Sequence, residues 1–405
     1  MQMALLSKGI FVVSAKRTPI GAYGGLLKSM TCTDIAEVAA RSCLSAIPVP
    51  PEHIGSVVFG NVIQSNRDTS NLSRHTAVRV GIPISTPALT VNRLCGSGFQ
   101  AVISAAHDML IGLTEVTLAG GSENMTEVPY VVRNIRFGTQ LGLNYKLDDM
   151  LIDALVDHQI DMPMGITAEN LAEKFDISRE QCDEMALRSQ TRWQNAHADN
   201  VFERELCYVH VKDKKGASLK MLSDEHPRKT SMEKLSMLKP AFKKNGVITA
   251  GNASGISDGA AALLLSTEEA MTRHDLKPLA RFVAYSVVGC DPALMGIGPV
   301  PAVDKLMGAL VPGKTGRDAS SYFDMIEVNE AFSSQYLAVE QELKLDPAIT
   351  NRHGGAIAMG HPVGASGARI LAHLTHQLAQ GKCKRALGTA CIGGGQGIAV
   401  ALEAM

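Results

Sequence analysis

The sequence predicts an α/β protein built by duplication, in which two stacked halves each lay a sheet against helices and a charged segment is inserted between them. Three observations carry this reading. Short apolar strands alternate with helical runs, the pattern of a sheet covered by helices on both faces. The two ends of the chain echo each other: Ser97-Gly98 and the apolar run Phe99 to Leu110 recur 269 positions later as Ser366-Gly367 and the run through Ile370, Leu371, Leu374 and Leu378. The middle, from about residue 123 to 245, breaks the pattern with stretches such as Lys212-Asp213-Lys214-Lys215 and Asp224-Glu225-His226-Pro227-Arg228-Lys229.

In chain order, Ile10-Phe11-Val12-Val13 reads as a buried strand, and Val57-Val58-Phe59 as a second that delivers Asn61 to the next loop. A Gly-Ser-Gly turn at 96–98 opens a buried helix, and Val116-Thr117-Leu118 is a strand running into Ala-Gly-Gly-Ser, which ends at Ser122. The offset of 269 also carries His107 to His376, and Ser122 to Cys391 after Arg385-Ala386-Leu387. An offset of 268 takes Asn61 to Asn329, after the strand Met325-Ile326-Glu327-Val328. One matched pair arises easily by chance; four ordered pairs at nearly one spacing point to a repeat. Between the halves, the small-residue turn Thr249 to Gly255 leads into the strand Ala261 to Leu265. The boundaries that follow are an N-terminal core half of residues 1–122 plus 246–274, an inserted loop domain of 123–245, and a C-terminal core half of 275–405. The place of the insertion between two core halves favours a lid or ligand-binding surface over an idle surface loop.

Composition sets the class. At 405 residues, 45% hydrophobic and 20% charged, the chain has the balance of a globular protein able to bury a large core. A formal charge of −1 argues against nucleic acid or anionic membrane as the main partner, because both reward a basic face. The 8 cysteines include no C-x-x-C pair, so neither a disulfide framework nor a zinc site is expected, and a reducing compartment is. No apolar run reaches the roughly 18–20 residues of a membrane helix. Lys8, Lys16, Arg17 and Lys28 all precede the first acid, Asp34, in the manner of a mitochondrial address. The strand at Ile10 argues that such a signal is retained, since its removal would cut into the fold. Leu402-Glu403-Ala404-Met405 is no peroxisomal tripeptide.

Four motifs can carry chemistry. In Leu94-Cys95-Gly96-Ser97-Gly98-Phe99, a cysteine stands just before a helix, where free N–H groups and the helix dipole favour its thiolate. Most cysteines are buried and inert, but the Gly-Ser-Gly setting lets backbone and substrate approach this one. In Met359-Gly360-His361-Pro362, a histidine precedes the turn that matches the Cys95 turn, with Cys95 corresponding to Gly364. Packed pseudo-symmetric halves would bring the two turns together, and a nearby imidazole activates a thiol. The bland reading of His361 is a turn cap, and of His353 a structural donor. In Cys391-Ile392-Gly393-Gly394-Gly395, consecutive glycines are poor strand formers and imply close backbone approach to a ligand. A phosphate loop lacks its Lys-Ser/Thr ending here, while a zinc site from Cys95, His361 and Cys391 has suitable ligand types. In Val328-Asn329-Glu330-Ala331-Phe332, Asn329 sits at a strand end, where α/β sheets place their sites.

Together and in this order, these motifs resemble the thiolase family, and the likeness runs from about residue 9 to the C-terminus. The resemblance implies a thiolase-like duplicated αβαβα five-layered core with an inserted loop domain, assembled as homodimers or homotetramers. It implies that Cys95 is the acyl-accepting nucleophile, His361 the base that activates it, and Cys391 the acid/base that exchanges the substrate proton. Asn329 would hold a water that meets an oxyanion, and the N–H groups of Cys95 and Gly393 would meet a second. Acyl-CoA and CoA are the implied partners, with CoA a substrate and no cofactor or metal. Arg228 and Thr230 would lie near the nucleotide of CoA, Ser254 near its pantetheine, and Met164, Ala331 and Phe332 would also bind substrate or CoA. Acetoacetyl-specific members have His-Met before Gly-x-Thr-Ala-Glu-Asn, whereas this chain reads Met162-Pro163-Met164-Gly165-Ile166-Thr167-Ala168-Glu169-Asn170. That difference, with Gly-Ile-Gly-Pro-Val-Pro at 296–301 and Arg-Asn-Ile-Arg-Phe-Gly from Arg133, is similar to the mitochondrial 3-ketoacyl-CoA members. Fatty-acid β-oxidation in the mitochondrial matrix is therefore expected, with the cytoplasm as the alternative. The rival readings are an acetoacetyl-CoA-specific enzyme, a ketoacyl synthase, which lacks the cysteine of the Cys391 motif, and an inactive acyl-CoA- or lipid-binding protein on the same fold.

Overall fold

The structure, a computed structural model, describes residues 9–212 and 216–405. Lys8 of the basic start and residues 213–215 of the charged stretch lie outside the described residues. Nine strands follow one hydrogen-bonded path: Met325–Val328, Arg385–Ile392, Gln396–Glu403, Ala280–Gly289, Ile10–Arg17, Ser257–Thr267, Val116–Asn124, Ser56–Gly60 and Ala88–Val91. A short strand, Gly21–Ala22, pairs with Ser257–Thr267 beside it. The path divides in the middle, where Ile10–Arg17 meets Ala280–Gly289 through only Ile10↔Phe282, Phe11↔Arg281 and Val12↔Ala280. Toward each end it finishes in parallel pairs, Met325–Val328 with Arg385–Ile392 on one side and Ser56–Gly60 with both Val116–Asn124 and Ala88–Val91 on the other.

Helices Ser97–Leu110 and Ser366–Ala379 lie between the halves. Phe99, Val102, Ile370 and Leu374 share one core with Val58, Leu263 and Leu265 of the first half and with Phe282, Ala390, Ile398 and Val400 of the second. The repeated Ser-Gly marks where these helices cross. A Cβ on Gly98 would stand 2.4 Å from Ala368 N, and one on Gly367 would stand 2.3 Å from Phe99 N, so only glycine lets the backbones touch. Helices Cys32–Ser45 and Leu72–Arg79 cover the outer face of the first half, and Pro299–Leu310 and Ser333–Leu343 that of the second. Helix, sheet, paired helices, sheet, helix is the five-layered arrangement that the family resemblance implies, built on the duplication expected from the repeat.

The charged middle is more ordered than its composition implies. It contains Met164–Lys174 and the 20-residue helix Arg179–Ala198. The longer helix starts at a capping box, in which Ser178 accepts from Gln181 N–H and the Gln181 side chain reaches back to Ser178. It buries Cys182, Met185, Ala186, Ser189 and Trp193 at helical spacing. Polar Asp183 and Gln190 are buried with them, which blurs the apolar stripe in the sequence. Its charges are also not all solvated. Arg17, from the basic start, is fully buried, with Nε 2.6 Å from Glu205 Oε1 and a terminal nitrogen 2.7 Å from Asp224 Oδ1.

Candidate active site

Cys95 lies in the turn between Ala88–Val91 and the helix starting at Ser97. Leu94 is held at φ +45°, a left-handed conformation that costs a side-chain-bearing residue on the order of 1–3 kcal/mol. Ser97 pins this turn: its Oγ accepts from Arg93 N–H at 2.9 Å and donates to Leu94 O at 2.7 Å. The N–H groups of Gly393 and of Cys95 itself point at the sulfur and favour its thiolate, but burial outweighs them and pushes the thiol up to about 11. This corrects the expectation of a thiolate stabilised by the helix start. In the free enzyme at neutral pH the group is a thiol, and it needs a base.

His361 lines the same cavity as Cys95. It follows the short helix Ala356–Met359 and Gly360, whose φ is +101°. Its Nδ1 lies 2.6 Å from Ser366 Oγ, and that hydroxyl lies 3.0 Å from Pro362 O. Only the hydroxyl can donate to the carbonyl, so Nδ1 carries the ring proton and Nε2 keeps its lone pair. Burial, with the charge of Arg369 adding to it, lowers His361 to about 3, so the imidazole is neutral at physiological pH. The amide of Asn329, at the end of Met325–Val328, stands with Nδ2 3.3 Å from His361 Nε2. Its Oδ1 is buried with no hydrogen-bond partner among the described residues.

Cys391 ends the strand Arg385–Ile392 and packs, fully buried, against Met295 and Ala331. Burial, reinforced by the neighbouring sulfurs of Cys95 and Cys290, raises its thiol well above the ordinary value, so it holds its proton. The glycines after it form a tight hairpin to Gln396–Glu403, with Gly394 at φ +76° and Gly395 at +79°. A Cβ on Gly393 would stand 2.4 Å from Met164 Cε, so a side chain there would displace the tip of that methionine.

These groups surround one cavity of about 100 Å³, lined by Cys95, Met125, Leu155, Met164, Gly165, Ser254, Gly255, Ile256, Met295, Ala331, Phe332, His361 and Val363. Of the residues expected at the site, Cys95, His361, Met164, Ser254, Ala331 and Phe332 line it directly. Cys391 lies against its Met295 and Ala331 wall, Asn329 reaches it through His361, and Gly393 does so through its N–H. Arg228 and Thr230 are not among the lining residues. Arg228 is exposed, and its backbone N–H donates to Gln190 Oε1 at 2.9 Å. His353 belongs elsewhere, in a chain where its Nδ1 is 2.9 Å from His373 Nε2 and His373 Nδ1 is 2.6 Å from Glu205. Among the described residues, no group of three or more His, Cys, Asp or Glu side chains is placed to hold a metal ion. The apolar wall of Met125, Leu155, Ile256, Met295 and Val363 escaped sequence reading, because isolated apolar residues from five separate segments share no period. Ser366 was visible as a repeat marker, but its bond to the histidine five residues earlier was not.

A duplicated five-layered core that presents a cysteine to a neutral imidazole in a largely apolar cavity defines a class of protein, the acyltransferases that carry the acyl group on sulfur. The chain belongs to the thiolase family: residues 10–269 match the thiolase N-terminal domain and residues 276–404 the thiolase C-terminal domain. It is 57% identical over 402 residues to the mitochondrial 3-ketoacyl-CoA thiolase of Bos taurus, covering 99% of each chain. The crystal structure of human mitochondrial 3-ketoacyl-CoA thiolase superposes with a TM-score of 0.95 at 53% identity, covering 99% of this chain and 100% of that one. The human enzyme in complex with CoA gives 0.94 at 52% identity, covering 100% of both.

Proposed function

We propose that this protein is a 3-ketoacyl-CoA thiolase of fatty-acid β-oxidation in the mitochondrial matrix, cleaving 3-ketoacyl-CoA with CoA to acetyl-CoA and a shortened acyl-CoA. The observation that carries this reading is the single cavity that Cys95 and His361 both line, in a chain more than half identical, from end to end, to proteins named for that activity. His361 Nε2 takes the Cys95 proton as the sulfur attacks the 3-keto carbon. The bond between carbons 2 and 3 breaks, and acetyl-CoA departs as its enolate. The protonated imidazole and a water on Asn329 Oδ1 stabilise that enolate oxygen, and the Cys391 thiol protonates the carbon. The Cys391 thiolate then takes the proton of the incoming CoA thiol, whose sulfur attacks the acyl group on Cys95. The N–H groups of Cys95 and Gly393 meet the resulting oxyanion. Cys95 leaves and recovers its proton from His361. Run backwards, the same steps form a carbon–carbon bond by Claisen condensation.

The reaction needs no resident cofactor or metal, because two sulfurs and an imidazole move every proton and CoA is consumed as substrate. Ser254 meets the pantetheine where it enters the cavity, and the exposed Arg228 and nearby Thr230 meet the nucleotide end of CoA. The apolar lining, with Met162-Pro163-Met164 where acetoacetyl-specific enzymes carry a histidine, favours longer acyl chains. Two exposed apolar regions suit assembly into dimers or tetramers: the edge strand Ala88–Val91 with Ile84 and Leu89, and the segment containing Phe137 and Leu141. The test is to mix purified protein with CoA and 3-ketoacyl-CoAs of several lengths while following acetyl-CoA release and the mass added at Cys95. Cleavage across lengths with an acyl adduct is expected. Activity confined to four carbons would support the acetoacetyl-specific alternative, and turnover that survives loss of Cys95 would defeat the mechanism.

A further inference from the structure

Glu123, near the end of Val116–Asn124, pairs with Gly259 in the first half's sheet, which therefore runs past the expected boundary at 122; it is fully buried, and its carboxylate is saturated by donors. Oε2 accepts from Val62 N–H at 3.0 Å and Gly364 N–H at 2.9 Å, and Oε1 accepts from Ile63 N–H at 3.1 Å and Asn61 Nδ2 at 3.0 Å. Gly364 is the C-terminal half's counterpart of Cys95, so Glu123 occupies the turn that in the other half is left open to substrate. The loop bearing His361 is thus gripped on both sides. Upstream, Glu330 of the same half accepts Ile357 N–H at 3.1 Å; downstream, Glu123 of the opposite half accepts Gly364 N–H. The loop is also held by the inserted segment, with Gly355 N–H donating to Ser189 Oγ at 3.1 Å and His226 Nδ1 2.8 Å from Ala358 O, and by a backbone link to the first half, His361 N–H to Gly255 O at 3.0 Å.

We propose that Glu123 is a positioning residue for the thiolase reaction, a buried carboxylate strut that fixes the His361 loop to the half carrying Cys95 and so sets the alignment of base and nucleophile. The inference rests on the function proposed above and adds a residue that touches neither substrate nor reacting atoms. Burial pushes Glu123 up to about 8, opposed by N–H groups of Ile63, Val62, Gly364 and Asn61. All four hydrogen-bonding partners are donors and oppose that rise, since a carboxylic O–H would find no acceptor among them, and the strut rests on these four hydrogen bonds. Glutamine in its place would turn an N–H toward an N–H, loosening the strut with almost no change of volume.

The experiment is a double-mutant cycle between Glu123→Gln and His361→Ala, read by thiolysis and by iodoacetamide alkylation of Cys95. Glu123→Gln is expected to lower kcat on the order of 10–100-fold, the effect of misplacing a catalytic group by about an ångström, with KM changed less than about twofold. In the double variant the loss should not exceed that of His361→Ala alone, because the strut acts through that imidazole. A kcat like that of the unaltered protein in Glu123→Gln, or losses that multiply in the double variant, would overturn the inference. Alkylation, which requires no substrate, should remain within about threefold, showing that the Cys95 turn is intact; a larger change counts against a role through His361. Failure of the unaltered protein to cleave any 3-ketoacyl-CoA would instead strike the function itself. If Glu123→Gln yields no folded protein, Asn61→Ser removes one donor from the same carboxylate and should show the same dependence on His361 at smaller size.

Discussion

At the mouth of the C-terminal half, strand ends place Asn329 and Cys391 just behind the cavity wall, Asn329 against His361 and Cys391 against Met295 and Ala331. In the N-terminal half, Asn61 and Ser122 hold the corresponding places, yet nothing is left open. Ser122 Oγ donates to Cys32 O at 2.8 Å, Asn61 Nδ2 donates to Ser122 O at 3.1 Å, and the Glu123 carboxylate takes up the remaining donors. One crevice keeps an unpartnered acceptor, Asn329 Oδ1, while its twin satisfies its own groups internally. The contrast teaches that two equivalent frames can be finished differently, one beside a cavity and the other filled by its own hydrogen bonds.

Breaking this asymmetry should have unequal consequences. Cys391→Ala should cut thiolysis by about 10²–10⁴-fold, the worth of a positioned general acid. Its counterpart, Ser122→Ala, should leave turnover unchanged and cost about 1 kcal/mol of stability for the lost hydrogen bond. Steady-state rates and urea melts on both variants check the pair; comparable activity losses would mean the two crevices are not functionally distinct. A second test concerns the open side alone. With Cys95 pushed up to about 11 and His361 lowered to about 3, neither is charged at neutral pH. Iodoacetamide alkylation of the free protein should therefore rise about tenfold per pH unit from about pH 7 to 9 without levelling. A plateau below about pH 8 would reveal a thiolate–imidazolium pair instead. The smallest contrast is between two glycines. A Cβ on Gly364 would stand 2.7 Å from Glu123 Oε2 and 2.9 Å from Asn61 Cα, so Gly364→Ala should lose about 1–3 kcal/mol. Gly394 has open space beyond it and only its φ of +76° to strain, so Gly394→Ala should lose about 1 kcal/mol. Denaturant midpoints would rank them.

The fold was largely legible because its signals are periodic or repeated. Met325–Val328 was read at its full extent, and the central helices were marked by Ser-Gly pairs whose glycines prove to be the crossing point. The catalytic candidates were legible because Cys95, His361 and Cys391 each sit beside glycines at a helix end or hairpin turn rather than inside an element. The helix Arg179–Ala198 was not, because its buried side mixes Asp183, Ser189 and Gln190 with apolar residues. The protonation state of Cys95 was misread, because a helix start argues for a thiolate while the burial that outweighs it is invisible in a linear string.

Local chemistry along the chain determined the element types, the doubling of the core and the kinds of side chain offered for catalysis, since these depend on near neighbours and on recurrence. Assembly in space decided which groups meet: that Ser366 sets the tautomer of His361, that Met125, Leu155 and Ile256 form one wall, and that Glu123 crosses between halves to hold Gly364. These outcomes follow from contacts between residues up to hundreds of positions apart, where distance and desolvation, rather than sequence spacing, set the energies.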